Sequence, residues 1–214
     1  MRLIFTTPLL LIVLSSTLAA QEAPAQKLLH FDFAPFVGYR TGMSLGIEPQ
    51  VSGTIPSVAV DASPSFGFSG GLRLQEDGLV EIRWTRQNSY LHPENISTPF
   101  PRQHVILDQF HADFSREYNI HEWHPSACPF VLLSIGATHL SQSANINFTR
   151  FSAGIGGGVR FYPSRHIGFK IQAEWLPVFV NPQVAVACGP GCVAHVGSTV
   201  ASQGEVFIGP VLRF

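Results

Sequence analysis

Apolar and polar residues alternate along most of this chain, and the alternation is clearest in "HIGFKIQAEWL" at 166–176. Ile167, Phe169, Ile171, Ala173 and Trp175 alternate there with His166, Gly168, Lys170, Gln172 and Glu174. Successive side chains of a strand point to opposite faces, so this segment predicts a strand with one wholly apolar face. The segment before it repeats the design, with Phe151, Ala153, Ile155, Gly157, Val159 and Phe161 set against Ser152, Gly154, Gly156, Gly158, Arg160 and Tyr162. Phe66, Phe68, Gly70, Leu72 and Leu74 likewise oppose Gly67, Ser69, Gly71, Arg73 and Gln75. Turn residues divide the chain into eight such runs, at about 31–41, 65–74, 78–90, 104–118, 128–141, 149–162, 166–178 and 203–214. Hardly any helical period is present.

The connections alternate too. "EDG" at 76–78 and "PSRH" at 163–166 are tight turns, whereas 42–64, 91–103 and 179–202 are long and rich in Pro, Gly, Ser and Asn. Short turns at one end and long loops at the other predict an all-β fold, an eight-stranded antiparallel up-and-down transmembrane β-barrel with its apolar rows facing lipid. Its last strand would pair with its first. Two connections fit this register less well: 119–127, "NIHEWHPSA", is long for a turn, and 142–148 is short for an outer loop. Pro35 and Pro210 lack an N–H and fall on the two strands that must meet, where a bulge is expected to absorb one of them. Arg86 and Asp108 occupy nominally outward positions near strand ends. The same alternation also describes a secreted lipocalin-like barrel or a β-sandwich, in which the apolar rows would turn inward.

Composition adds a compartment. The formal charge of −1 gives no field that would attract nucleic acid. Residues 1–20 read as a secretory signal peptide, with Arg2 at the start, an apolar core at Leu9–Leu14 and small residues from Thr17 to Ala20. The mature domain is then 21–214. "CGPGC" places Cys188 and Cys192 in the last long loop as a candidate short disulfide, suited to an oxidising compartment, and Cys128 reads as a small apolar residue. Tyr39, Trp84, Tyr90, Trp123, Tyr162 and Trp175 suit girdles at the membrane interfaces.

If the apolar rows face lipid, Arg73, Glu81, Arg83, His111, Asp113, Arg160, Lys170, Glu174, Glu205 and Arg213 face the lumen. An eight-stranded barrel is just wide enough for side chains to fill, so Glu81, Arg83, Asp113, Lys170 and Glu174 are expected to pair at mid-height as a polar plug. The competing reading is a small ion channel through the same charges. His121 and His124 in "HEWH" are too few to ligate a metal, and no metal or cofactor is expected.

The terminal Phe214, preceded by outward Val206, Ile208 and Leu212, resembles the C-terminal strand signature by which outer-membrane barrels are recognised by the barrel assembly machinery. With the leader and "SAGIGGGVRFYPSRHIGFKIQAEWLP" at 152–177, the chain resembles the small outer-membrane β-barrels related to the OmpA barrel and to OmpX-like proteins. That resemblance implies a bacterial outer-membrane location with both termini periplasmic, contact with outer-membrane lipid and lipopolysaccharide, and an extracellular surface partner for the loops. "THLS" places His139 and Ser141 on one face of a strand and resembles the H-x-S pair of lipid A 3-O-deacylases. Those esterases add an acid shortly afterwards, and "QSANINFTRFSAG" at 142–154 contains none. The expected role is therefore structural or surface-interacting and not enzymatic.

Overall fold

In a computed structural model the described residues are 30–46, 57–74, 77–93, 102–118, 126–142, 146–180, 185–189, 192–195 and 200–214. They form twelve strands: β1 (Phe31–Arg40), β2 (Met43–Gly46), β3 (Ser57–Val60), β4 (Ser63–Arg73), β5 (Gly78–Pro93), β6 (Gln103–Glu117), β7 (Ala127–Gln142), β8 (Ile146–Phe161), β9 (Ile167–Phe179), β10 (Ala185–Gly189), β11 (Cys192–His195) and β12 (Val200–Arg213). Eight of them close a ring in the order β1, β4, β5, β6, β7, β8, β9, β12, with β12 returning to β1. Every neighbouring pair in the ring is antiparallel. These eight strands are the eight that the alternation predicts, and a closed ring leaves none of them with an unpaired edge.

The sense of the alternation excludes the soluble alternative. On β9 the side chains of Ile171 and Trp175 are 53% and 55% exposed, while Lys170 and Glu174 are 1% and 5% exposed. Phe68, Ile82, Phe110, Leu133, Ile155, Val206 and Ile208 are exposed in the same way on the other strands. Apolar rows therefore point outward and charged rows inward, the reverse of a soluble core.

Two short hairpins go beyond the predicted strands. Strands β2 and β3 pair with each other, and β3 then joins β5 above the ring, Val60 opposite Leu91 and Val58 opposite Pro93. Strands β10 and β11 form a separate hairpin between β9 and β12. Both lie within segments rich in Pro and Gly, whose composition reads as loop. Only three residues separate β7 from β8, and the connection 118–126 joins β6 to β7 at the end where Phe31 and Phe214 meet.

Two other expectations need correction. The β1 to β12 register contains no bulge: Phe33 opposite Leu212 and Val37 opposite Ile208 belong to one continuous register. Pro35 and Pro210 therefore face each other directly. Tyr162 is not part of an outer girdle, because its hydroxyl donates to Asp32 at 3.5 Å and the Arg213 guanidinium lies 3.9 Å from its ring centre inside the barrel. Strand parity explains this, since Tyr162 shares the inward row of Arg160.

Close strand packing requires glycine at particular points. A Cβ on Gly136 of β7 would lie 2.0 Å from the Phe110 carbonyl oxygen and 2.3 Å from His111 Cδ2. Outward Gly70 has nothing nearer than Phe31 Cζ at 3.4 Å. We expect Gly136→Val to lower the urea midpoint of the refolded barrel sharply, because a backbone oxygen cannot yield. Gly70→Ala should leave the midpoint almost unchanged in the same denaturation series.

Candidate functional site

The best candidate for function is the barrel interior, where strand parity gathers charges that are far apart in sequence. Arg83 on β5 lies at its centre. Its guanidinium is 2.7 Å from Asp113 on β6, 2.6 Å from Glu174 on β9 and 3.6 Å from Glu205 on β12. Glu205 also accepts from Arg40 on β1 at 2.9 Å and from the Ser65 hydroxyl at 2.8 Å. Ser134 on β7 and Gln172 on β9 donate to Glu174.

A second run of pairs continues toward the end where Phe31 and Phe214 meet. Glu81 accepts from Lys170 at 2.9 Å, from Arg160 at 2.7 Å and from Ser69 at 2.9 Å. Arg160 reaches Glu117 at 2.9 Å, and Glu117 holds Arg73 at 2.7 Å. Asp32 lies 3.6 Å from Arg73 and accepts from Arg213 at 2.9 Å. Six cations (Arg40, Arg73, Arg83, Arg160, Lys170, Arg213) thus meet six carboxylates (Asp32, Glu81, Asp113, Glu117, Glu174, Glu205). This balance matters because an unpaired charge in such a site would be costly. The Arg160 guanidinium also lies 4.1 Å from the Phe130 ring centre.

Toward the long-loop end the interior changes character. Met43 and Leu45 of β2 and Val58 and Val60 of β3 bury their side chains against Leu91, Val105, Leu107, Leu140, Val178, Val180 and Ala201. The inner face of the β2 and β3 hairpin therefore completes an apolar layer above the charged one. Near the boundary of the two layers, polar atoms of Arg40, Thr85, Gln87, Gln109 and His111 have no hydrogen-bond partner among the described residues, and groups of this kind are ordinarily satisfied by buried water.

Glu81, Arg83, Asp113, Lys170 and Glu174 all lie in the charged layer, within the two runs described above. Sequence reasoning left out Asp32, Arg40 and Glu117. Their parity gives them away, since Asp32 and Arg40 oppose the outward Phe33, Val37 and Tyr39, but Pro35 interrupts that run and hides its length.

The esterase-like pair is arranged differently. His139 Nδ1 is 2.8 Å from the Thr149 hydroxyl on β8. The residue opposite His139 on β6 is Asp108, yet its oxygens are taken by Arg86 at 2.8 Å and by the Trp84 indole N–H at 3.2 Å. The two outward charges thus neutralise each other across β5 and β6. At the chain terminus, Phe214 N–H donates to the Phe31 carbonyl at 2.9 Å, and Val206, Ile208, Leu212 and Phe214 form one exposed outward row. The side chains of Cys188 and Cys192, and residues 1–20, His121, Trp123 and His124, lie outside the described residues.

No protein-family model and no curated protein sequence matches this chain. Its fold is similar to those of solved structures, three of which are outer-membrane or surface proteins. Outer membrane protein OprG from Pseudomonas aeruginosa has a TM-score of 0.60 at 11% identity, over 86% of this chain and 95% of that one. Outer membrane protein AlkL, solved in DMPC lipid bilayers, has 0.55 at 11% identity, over 87% and 89%. Neisserial surface protein A has 0.53 at 15% identity, over 86% and 97%. At these identities the likeness is one of fold.

Removing Arg83 leaves three buried carboxylates around an empty site. We expect Arg83→Ala to destabilise the refolded barrel by about 3–5 kcal/mol in equilibrium urea unfolding. Arg116, on the outside and paired with Asp77 at 2.9 Å, is the control. Arg116→Ala should cost about 1 kcal/mol or less, because that pair is exposed and screened.

Proposed function

We propose that this chain is an integral protein of the bacterial outer membrane, with its termini in the periplasm after removal of residues 1–20. Its interior is a polar plug, and its role is to stabilise the envelope and to present the segments 42–64 and 179–202 to an extracellular surface partner. The observation that carries this reading is the inversion of the barrel wall: apolar rows exposed on the outside, paired charges buried on the inside. Such a wall is insoluble in water and matched to hydrocarbon. The likeness in fold to OprG and AlkL, both outer membrane proteins, adds support.

The spacing of the charges supports the plug. Every cation of the inner layer is within ion-pair distance of a carboxylate on another strand, and the apolar layer lies above them. A permeating ion would have to break several of these pairs at once. Among the described residues His139 and Ser141 enter no arrangement in which an unengaged carboxylate orients the imidazole, which supports a non-enzymatic reading.

In cells carrying the full gene, we expect the protein in the outer-membrane fraction, migrating faster in detergent gels before boiling than after it. Planar bilayers with the purified protein should show no steady conductance. A protein recovered soluble and without a heat-dependent shift would overturn the membrane reading. A steady conductance that changes with Lys170→Ala would replace the plug by a channel.

A further inference from the structure

The outer wall is not smooth. At the end where Phe31 and Phe214 meet, two adjoining rungs of outward residues cross β5, β6, β7 and β8. Gly78, Arg116, Val131 and Gly157 oppose one another in turn along the first, and Val80, Phe114, Leu133 and Ile155 along the second. Gly78 and Gly157 bring no side chain to the first rung. The wall is hollowed there into a groove of about 830 Å³, lined by Leu74, Phe114, Arg116, Val131, Leu133 and Ile155. Its apolar side chains are exposed. Four strands lie side by side beneath it, which makes it roughly 15 Å across by the spacing of neighbouring strands. The grooves beside Trp175 and beside Trp84 are half that size, about 420 and 430 Å³.

An ion pair stands at the rim of this groove. Among the described residues, Arg116 is the one basic side chain on an outward strand row at this end. Its Nε donates to Asp77 Oδ2 at 2.9 Å. Asp77 is fixed against β6 by the turn, its carbonyl accepting from the Glu117 N–H at 2.7 Å. The pair is open, with side chains 70% and 39% exposed, and both Nη groups of Arg116 and Oδ1 of Asp77 bond none of the described residues. Arg86 and Asp108, beside the Trp84 groove, make the contrast. There the guanidinium grips both carboxylate oxygens and the Trp84 indole N–H takes one of them again. That pair is closed on itself, and the Arg116 pair has donors and an acceptor to spare.

We propose that this groove binds one diacyl phospholipid of the periplasmic leaflet by its phosphoethanolamine headgroup. The phosphate accepts from the Nη groups of Arg116, the ammonium donates to Oδ1 of Asp77, and the acyl chains lie over Phe114, Leu133 and Ile155. The proposal rests on the membrane reading above, since only a barrel in lipid has phospholipid at its outer wall. The headgroup is chosen by the charges. A guanidinium fork beside a carboxylate offers donors to a phosphate and an acceptor to an amine, so it matches a headgroup that carries both signs. A phosphoglycerol headgroup would set its phosphate beside Asp77 with no cation to meet that carboxylate. A phosphocholine headgroup has the cation but no N–H to donate. The hollow adds a second criterion, because chains that fill it gain contacts that a flat wall would not supply.

The test is native mass spectrometry of the purified protein in detergent micelles with an equimolar mixture of phosphatidylethanolamine, phosphatidylcholine and phosphatidylglycerol of one acyl composition. We expect one phosphatidylethanolamine retained per barrel, about fivefold over either other lipid, the discrimination that one exposed charge pair supplies. Asp77→Asn should abolish the preference over phosphatidylcholine. Arg116→Ala should lower retention of phosphatidylethanolamine about fivefold. Val131→Trp fills the hollow from an outward position, leaves the ion pair in place, and should lower retention as well. A heat-dependent gel shift shows that each variant is folded. Equal retention of the three lipids, or a preference unchanged by Arg116→Ala and Val131→Trp, overturns the groove site and leaves the membrane reading standing. A protein that is soluble without detergent and shows no heat-dependent shift overturns both.

Discussion

Closure of the strand ring is the constraint from which the rest of this structure follows. A strand carries N–H and C=O groups along both edges, and in an apolar medium each needs a partner within the protein. Pairing β12 with β1 supplies the last set and allows the outer wall to be made of Phe, Ile, Leu, Val and Trp. Because side chains alternate across each strand, an apolar outside assigns the remaining residues to the inside. The charges of the lumen are thus the second half of one pattern.

What those charges do is governed by their confinement. Burying an ion costs several kcal/mol unless partners and hydrogen bonds replace the lost water. Arg83 meets three carboxylates, Glu81 meets two cations, and the hydroxyls of Ser65, Ser69 and Ser134 fill remaining acceptor positions. Cross-lumen pairs such as Arg160 with Glu81 tie together strands that are not neighbours in the ring. A network of this kind specifies how the eight strands face one another. It also makes the interior intolerant of a single missing partner.

The same wall carries a local exception. At the closing seam, where backbone bonding is most needed, two prolines remove it and an aromatic stack takes its place. Phe207 is further tied to the charged layer, with the Arg83 guanidinium and the Lys170 ammonium each 5.5 Å from its ring centre. The apolar layer built by β2 and β3 at the long-loop end is a separate closure, made by packing instead of hydrogen bonds.

The sequence alone determined the eight ring strands, the separation of apolar from polar rows and, for a barrel with its apolar rows outward, most of the inward charges. Each of these depends on a period of two, a local property that survives without knowledge of neighbours. Tertiary structure decided the rest. The hairpins β2 with β3 and β10 with β11 lie in segments whose composition reads as loop, and β2 with β3 is recruited by the edge of β5 and by apolar partners on other strands. Asp32 and Arg40 joined the charge network through Arg213 and Glu205, which stand directly opposite them on β12, and Glu117 through Arg160 and Arg73 on strands that are not its neighbours; no spacing in one strand encodes these pairings. Pro35 and Pro210 were visible as prolines on closing strands, but that they oppose each other depends on the register between residues 175 apart. Register is a property of the closed ring, set only when every strand has found both neighbours.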